Sequence, residues 1–349
     1  SCPDPSVAEA VNEALHHTGL SVHSVFGPGP AQPVLYSDVR GVSPEMADFA
    51  RRVGMGPGVF APVLLEGEVA LILAVTRRLG EEPFDEEDLW FVTETASHAS
   101  AALTNAYLYR RQSRIAETLQ RSLIPAGPKI RGLDIATRYS PATADVDVGG
   151  DFFDVVAHDD DVGIVVGDIA GKGLSAAVHT AETKYMLRAF AHEDPDPARV
   201  MELLNRALYA YSEEFSFVTL FYGLLRPRDQ GLRYLNAGQE VPFVLRARDR
   251  SVIRLEPTGL VLGVNPDTTY RTEAVAMAPG DVLFCYTDGV TDVRRNSEMF
   301  GHERLSDAVA VAPNSSSDEL MEYVISELRA FGRGQQSDDQ VMVAVRVLP

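Results

Sequence analysis

GGDFFDVVAHDDDVGIVVGDIAGKG, residues 149–173, is the stretch on which the fold turns. Two apolar runs of strand length, DFFDVVAH (151–158) and GIVVGDIA (163–170), flank the acidic run DDD (159–161). That is the pattern of a β-hairpin. Phe152 and Phe153 would face opposite sides of the first strand, so at least one enters a core. Asp154, His158 and the DDD run read as the hairpin and its solvated turn. Asp151 follows Gly149-Gly150, and Asp168 follows Gly167. Asp beside Gly is an ordinary turn signal, so each acid taken singly is a turn former before it is anything else. GDIAGKG also invites a phosphate-loop reading. It lacks the G-x-x-x-x-G-K-S/T spacing, and Leu174 stands where the hydroxyl belongs. Lys172 fits a contact to a substrate anion and a solvated turn lysine equally.

More runs of strand length follow the same style, at 133–140, 217–225, 232–238, 241–247, 282–289 and 341–347. Helical patterns cover 174–191, 196–212 and 316–331. Strands outnumber helices and many connect by hairpin-length turns. The expected class is α+β: a C-terminal antiparallel β-sandwich flanked by helices, with a smaller N-terminal α/β domain.

The chain has 349 residues, 45% of them apolar and 23% charged, with a formal net charge of −19. Such a balance argues against a nucleic-acid partner. No apolar run approaches the roughly 20 residues of a membrane helix. The opening residues lack a basic segment followed by an apolar core, and only Cys2 and Cys285 occur. A reducing cytoplasm is the expectation. Cys285, mid-strand, reads as a buried small apolar residue.

Composition divides the chain into 1–105, a connector at 106–125 and 126–349, because two acidic segments flank a basic one. In the first segment, VAEAVNEAL (7–15) is helical, and SVHSVF (21–26) and PVLYSDV (33–39) read as strands. SPEMADFARRVG (43–54) is a helix capped by Ser43 and stopped at Gly54. VFAPVLLEGEVALILAVTR (59–77) is a hairpin turning at Glu66-Gly67, and residues 84–112 form a long amphipathic helix. Trp90 and Phe91 are expected in this domain's core. The hairpin, then PFDEEDLWFV, then an Ala-rich helix leaving as NAYLYRR, resemble the C-terminal half of a GAF domain in compact or incomplete form. In the connector, Leu108, Ile115, Leu119 and Leu123 share one helical stripe. That stripe fits a homodimer seam and a helix packed on its own domains equally.

Asp288 ends VLFCYT, and Asp338 and Asp339 precede the final strand. With Asp151 and Asp168 they are acids at the ends of core strands, which one sandwich can bring together. Clustered carboxylates repel, and divalent cations relieve that repulsion. An oxygen-only donor set suits Mg²⁺ or Mn²⁺ rather than zinc. Such ions bind phosphate oxygens and turn a water into hydroxide near neutral pH.

Eight ordered segments, VGGDFFDVV (148–156), GDIAGKGLSAA (167–177), FVTLFYG (217–223), LNAGQEVPF (235–243), GLVLGV (259–264), PGDVLFCYTDGVTDV (279–293), MFGHERL (299–305) and QSDDQVMVAV (336–345), closely resemble the PPM-type, or protein phosphatase 2C-like, serine/threonine phosphatases. More narrowly they resemble the bacterial branch typified by stage II sporulation protein E and the sigma-B activator phosphatases. The resemblance implies two or three Mn²⁺ or Mg²⁺ ions held by Asp151, Asp168, Asp288 and Asp338, which would also be the catalytic residues. The Ile169 carbonyl assists, and Asp339 is a less favoured ligand. It also implies direct attack by metal-bound hydroxide on a phosphorylated protein, an anti-sigma-factor antagonist in partner switching, with the N-terminal domain regulating. Two departures stand out: Gln239 where the family has His after NAG, and Val341 where it has Thr or Ser. They support an alternative, a catalytically weak phosphatase fold that binds a regulator.

Overall fold

A computed structural model describes residues 21–27, 29–123, 130–141, 149–158, 161–210, 217–313, 315–334, 336 and 338–349. The helix expected at 7–15, Cys2, most of the DDD turn and the connector's end lie outside the described residues. The chain divides into two compact units, Ser1–Arg111 and Gln112–Pro349.

The first unit holds a three-stranded antiparallel sheet of β1 (Val34–Tyr36), β2 (Met55–Leu65) and β3 (Glu68–Arg78). Residues 21–26 do not form the expected strand. Val22–Phe26 is a short helix, α1, whose Ser21 and Ser24 cap each other's backbone N–H groups. Val22, Val25 and Phe26 have helical spacing, which outweighed their β-branched composition. Helix α2 (Pro44–Val53) starts as its sequence requires, with the Ser43 side chain accepting from the Met46 N–H. Helix α3 (Glu86–Leu123) runs unbroken through the expected connector. Its buried face is Leu89, Val92, Ala96 and Leu103, packed with Phe84, Val59 and Val63. Trp90 and Phe91 fall off that stripe and are 64% and 66% exposed, so neither fills the core.

The second unit contains two five-stranded antiparallel sheets. One has the order β11-β8-β7-β6-β5, from β5 (Phe152–His158), β6 (Asp161–Ile169), β7 (Val218–Arg226), β8 (Gly231–Ala237) and β11 (Glu273–Ala276). The other has the order β10-β9-β12-β15-β4, from β4 (Leu133–Ser140), β9 (Phe243–Leu245), β10 (Val252–Arg254), β12 (Val282–Tyr286) and β15 (Gln340–Val347). Phe153, Val155, Ile164 and Phe221 of the first sheet pack against Leu283, Cys285, Val341 and Val343 of the second. Each of these Val, Leu, Ile and Phe side chains contributes roughly 1.5–3 kcal/mol when fully buried. Helices α4 (Leu174–Glu193) and α5 (Pro197–Ala210) cover the outer face of the first sheet through Phe152, Leu187, Met201 and Leu204. The short α6 (Asp288–Thr291) follows β12, and a two-stranded ribbon follows it, β13 (Arg294–Arg295) with β14 (Glu298–Met299). Helices α7 (Gly301–Val311) and α8 (Ser317–Gly332) cover the second sheet's outer face through Leu305, Leu320 and Val324. Both phenylalanines of GGDFFD are therefore core residues, one on each face of β5.

Candidate functional site

The β5–β6 pairing sets Phe152 opposite Gly167, so Asp151 and Asp168 meet at one end of the hairpin. There the Ile169 N–H donates to the Gly150 carbonyl at 3.3 Å. In the other sheet, β12 pairs with β15, with Tyr286 opposite Met342. Beyond that pair, the Thr287 N–H donates to the Val341 carbonyl, and the Val341 N–H donates to Thr287 Oγ, each at 3.1 Å. That crossing brings Asp288 to the segment holding Asp338 and Asp339. Thr287 then joins the two sheets: its hydroxyl donates to Asp151 Oδ2 at 2.6 Å.

Gly149, Gly150, Asp151, Asp168, Ile169, Gly171, Lys172, Asp288 and Asp338 line a single cleft of about 300 Å³. Four acids from distant parts of the chain thus share one cavity. Asp339 is not among the lining residues: it is 2% exposed and its Oδ2 accepts from the Tyr139 hydroxyl at 2.6 Å. Burial, followed by the charge of Asp168, pushes Asp151 well above the usual carboxylate range, against the Thr287 hydrogen bond. Burial and then the charge of Asp288 push Asp168 up to about 6. Burial and then Asp338 raise Asp288. Asp151, Asp168 and Asp288 are thus held where a carboxylate charge is costly, which is the condition a bound cation relieves.

The donors suit a hard divalent cation. All are oxygens, and Gly150 keeps a gap between two of them. A Cβ at that position would lie 2.1 Å from the Ile169 carbonyl oxygen and 2.8 Å from Asp168 Oδ1. Among the described residues, no three acid, His or Cys side chains converge at metal-ligand spacing. The cleft therefore gathers the donors without closing a ligand shell.

Asp154 differs from its expected place in a solvated turn. It is fully buried, and Arg188 grips it through Nε to Oδ2 at 2.5 Å and Nη2 to Oδ1 at 2.7 Å. Lys184 Nζ lies 3.7 Å from Oδ1, and burial lowers its pKa. Both cations come from α4, about thirty residues away, where hairpin reasoning could not find them. Of the two departures, Val341 is wholly buried in the inter-sheet core. Gln239 is 5% exposed and hydrogen bonded on both sides. Thr287 escaped the sequence reading because a neutral hydroxyl between Tyr and Asp carries no charge signal.

Residues 158–348 match the family model described as Stage II sporulation protein E (SpoIIE), which is more than half of the chain. Asp151 lies just before the matched segment. The chain is 30% identical over 258 residues to Protein IcfG of Synechocystis, covering 65% of this chain and 40% of that protein. It is 26% identical over 238 residues to Phosphoserine phosphatase RsbU of Bacillus subtilis, covering 68% of this chain and 70% of that one. The chain thus spans less than half of the length of IcfG. The SiaA-PP2C domain of Pseudomonas aeruginosa superposes with a TM-score of 0.59 at 21% identity, over 71% of this chain and 99% of that domain. The two-sheet architecture is therefore that of PP2C domains.

Proposed function

The chain belongs to the SpoIIE-type PP2C phosphatase family, and on that premise we propose that it is a metal-dependent phosphoserine/phosphothreonine protein phosphatase. The observation that carries this reading is the single cleft lined by Asp151, Asp168, Asp288 and Asp338. These four, with the Ile169 carbonyl, would hold Mn²⁺ or Mg²⁺. Bound cations would supply the charge that offsets the carboxylates and the Lewis acidity that activates water toward phosphorus. The protein's own groups do the rest. The Thr287 hydroxyl holds Asp151 in one orientation. Gly150 lets backbone and carboxylate oxygens approach the same space. Lys172, the only cation among the described lining residues, faces the incoming phosphate.

The substrate in this proposal is a phosphorylated anti-sigma-factor antagonist in a partner-switching pathway; the name of RsbU, a phosphoserine phosphatase, supports the phosphoserine part. The first unit would regulate turnover. The exposed stripe Leu108, Ile115 and Leu119 on α3 would be a homodimer seam. A cytoplasmic location belongs to the same proposal, in keeping with the buried free thiol of Cys285. Among the described residues, no helix is long and apolar enough to cross a membrane.

The test is phosphate release from phosphoserine-bearing antagonist proteins with and without Mn²⁺. Turnover that needs the ion and vanishes in Asp288→Ala is expected. Full activity of that variant, or no ion-dependent release from any phosphoserine or phosphothreonine protein, overturns the proposal.

A further inference from the structure

Between β8 and β9 the chain leaves one sheet and enters the other, and Gln239 sits in that crossing. Gly238 makes the turn at φ +78, and a Cβ there would lie 2.5 Å from Val261 Cγ1, so the bend needs glycine. The buried Asn236 side chain fixes the next residue at both ends: its Oδ1 accepts from the Gln239 N–H at 2.9 Å, and its Nδ2 donates to the Gln239 carbonyl at 3.1 Å. With its backbone held, Gln239 extends its amide between the sheets. Its Oε1 accepts from Thr219 Oγ at 2.6 Å, and its Nε2 donates to the Tyr286 carbonyl at 3.4 Å.

Both contacts lie close to cleft acids. Thr219 on β7 is the antiparallel partner of Asp168, and its Oγ also lies 3.4 Å from the Asp168 carbonyl. Tyr286 is the last residue of β12, two before Asp288. One neutral amide therefore ties the strand beside Asp168 to the strand that delivers Asp288. The link needs an acceptor on one side and a donor on the other, in a site too buried for water to substitute freely. A carboxamide has both and adds no charge beside four acids.

We infer that Gln239 is a positioning residue that fixes the separation of Asp168 and Asp288 and so sets the affinity of the cleft for a divalent cation. The inference rests on the proposed cation-binding role of those acids. Outer groups that orient ligands commonly control affinity by about 10–100-fold.

The experiment is calorimetric titration of the full chain with Mn²⁺ alone, alongside the melting temperature of each metal-free protein. Gln239→Leu, which removes donor and acceptor, is expected to weaken Mn²⁺ binding about tenfold. Gln239→His, which again offers one donor and one acceptor, should bring the affinity most of the way back. Thr219→Val cuts the same link from the other strand and should weaken binding similarly, and it serves if Gln239→Leu does not fold. Asp168→Asn is the control and should lose most of the binding. A lowered melting temperature with unchanged Mn²⁺ affinity in the Gln239 and Thr219 variants, while Asp168→Asn loses binding, overturns the inference alone. Normal binding by Asp168→Asn overturns the cation reading itself.

Discussion

Asp151 and Asp154 stand three residues apart and are 6% and 0% exposed, yet the fold sets them in opposite company. Side chains alternate along β5, so Asp154 shares the helix-facing side with Phe152, where α4 supplies Arg188 and Lys184. Asp151 lies at the strand end, where the two sheets deliver three further carboxylates and, among the described lining residues, no cation but Lys172. Burying a charge is costly unless it is paired. One acid finds its counter-charges within the chain; the other, under the proposed function, takes them from bound cations. An acid's meaning therefore depends on what the topology carries to it, not on its local motif.

The largest effect expected from this contrast is on turnover. Asp168→Asn should reduce phosphate release by at least about a thousandfold, because charge stabilisation at the reacting group is commonly worth that much. Single-turnover assays with saturating Mn²⁺ check it. Activity within tenfold of the parent would mean the acidic cleft is not the reacting site.

Asp154 should behave in the opposite way. Asp154→Ala strands the Lys184 and Arg188 charges, and removing one member of a buried pair costs about 3–5 kcal/mol. Urea unfolding should show that loss, while the folded fraction turns over normally. Asp154→Asn with Lys184→Met should regain part of it. A variant as stable as the parent would show that the pair is not needed, and lost turnover in a fully folded variant would erase the distinction between the two acids.

Much of the second unit was readable in the sequence because its strands are long apolar runs between turn signals. The run at 133–140 matches β4 residue for residue, and 341–347 falls within β15. Helix α7 was not readable as a helix. Its apolar residues Leu305, Ala308 and Val309 give too short a stripe, two of them small or β-branched. Trp90 and Phe91 misled because size suggested a core, whereas the stripe of α3 is drawn from Leu89, Val92 and Ala96. Singly, each cleft acid read as a turn former; they stood out only as a set, because several core strands end in acids within ordered motifs. Thr287 and Gln239, which hold the cleft together, are neutral, and only the three-dimensional crossing of the sheets reveals what they touch.

A third way to separate the regions is by pH. The folded pKa of Asp168, about 6, lies above its ordinary 3.8. Without cations its stabilising contribution is present below about pH 4 and disappears as pH rises through 6, a loss of up to about 3 kcal/mol. Asp151 and Asp288, also raised, act in the same direction. Metal-free Asp168→Asn should therefore gain on the parent between pH 4 and 7.5, and Mn²⁺ should flatten the parent's own profile. Equal pH profiles for parent and variant would show that the cleft charges do not oppose folding.

The smallest effect should come from a comparison of lysines. Lys184 is buried, bonded to the Phe153 carbonyl at 3.1 Å, and committed to the chain's own acid. Lys172 is exposed at the edge of the acidic cleft, on the loop between two left-handed glycines, Gly171 and Gly173. A solvated lysine acts as a screened point charge, so its contribution to anion binding is about 1 kcal/mol or less. Lys172→Ala should raise KM for a phosphoprotein by about three- to fivefold and leave kcat and melting temperature unchanged. The shift should shrink at high salt, because an exposed charge is screened within about 10 Å at 0.1 M. A fall in kcat at constant KM would instead place Lys172 against the reacting phosphate in the transition state. No change in either constant would make it a surface lysine, leaving the described lining of the cleft with no working cation.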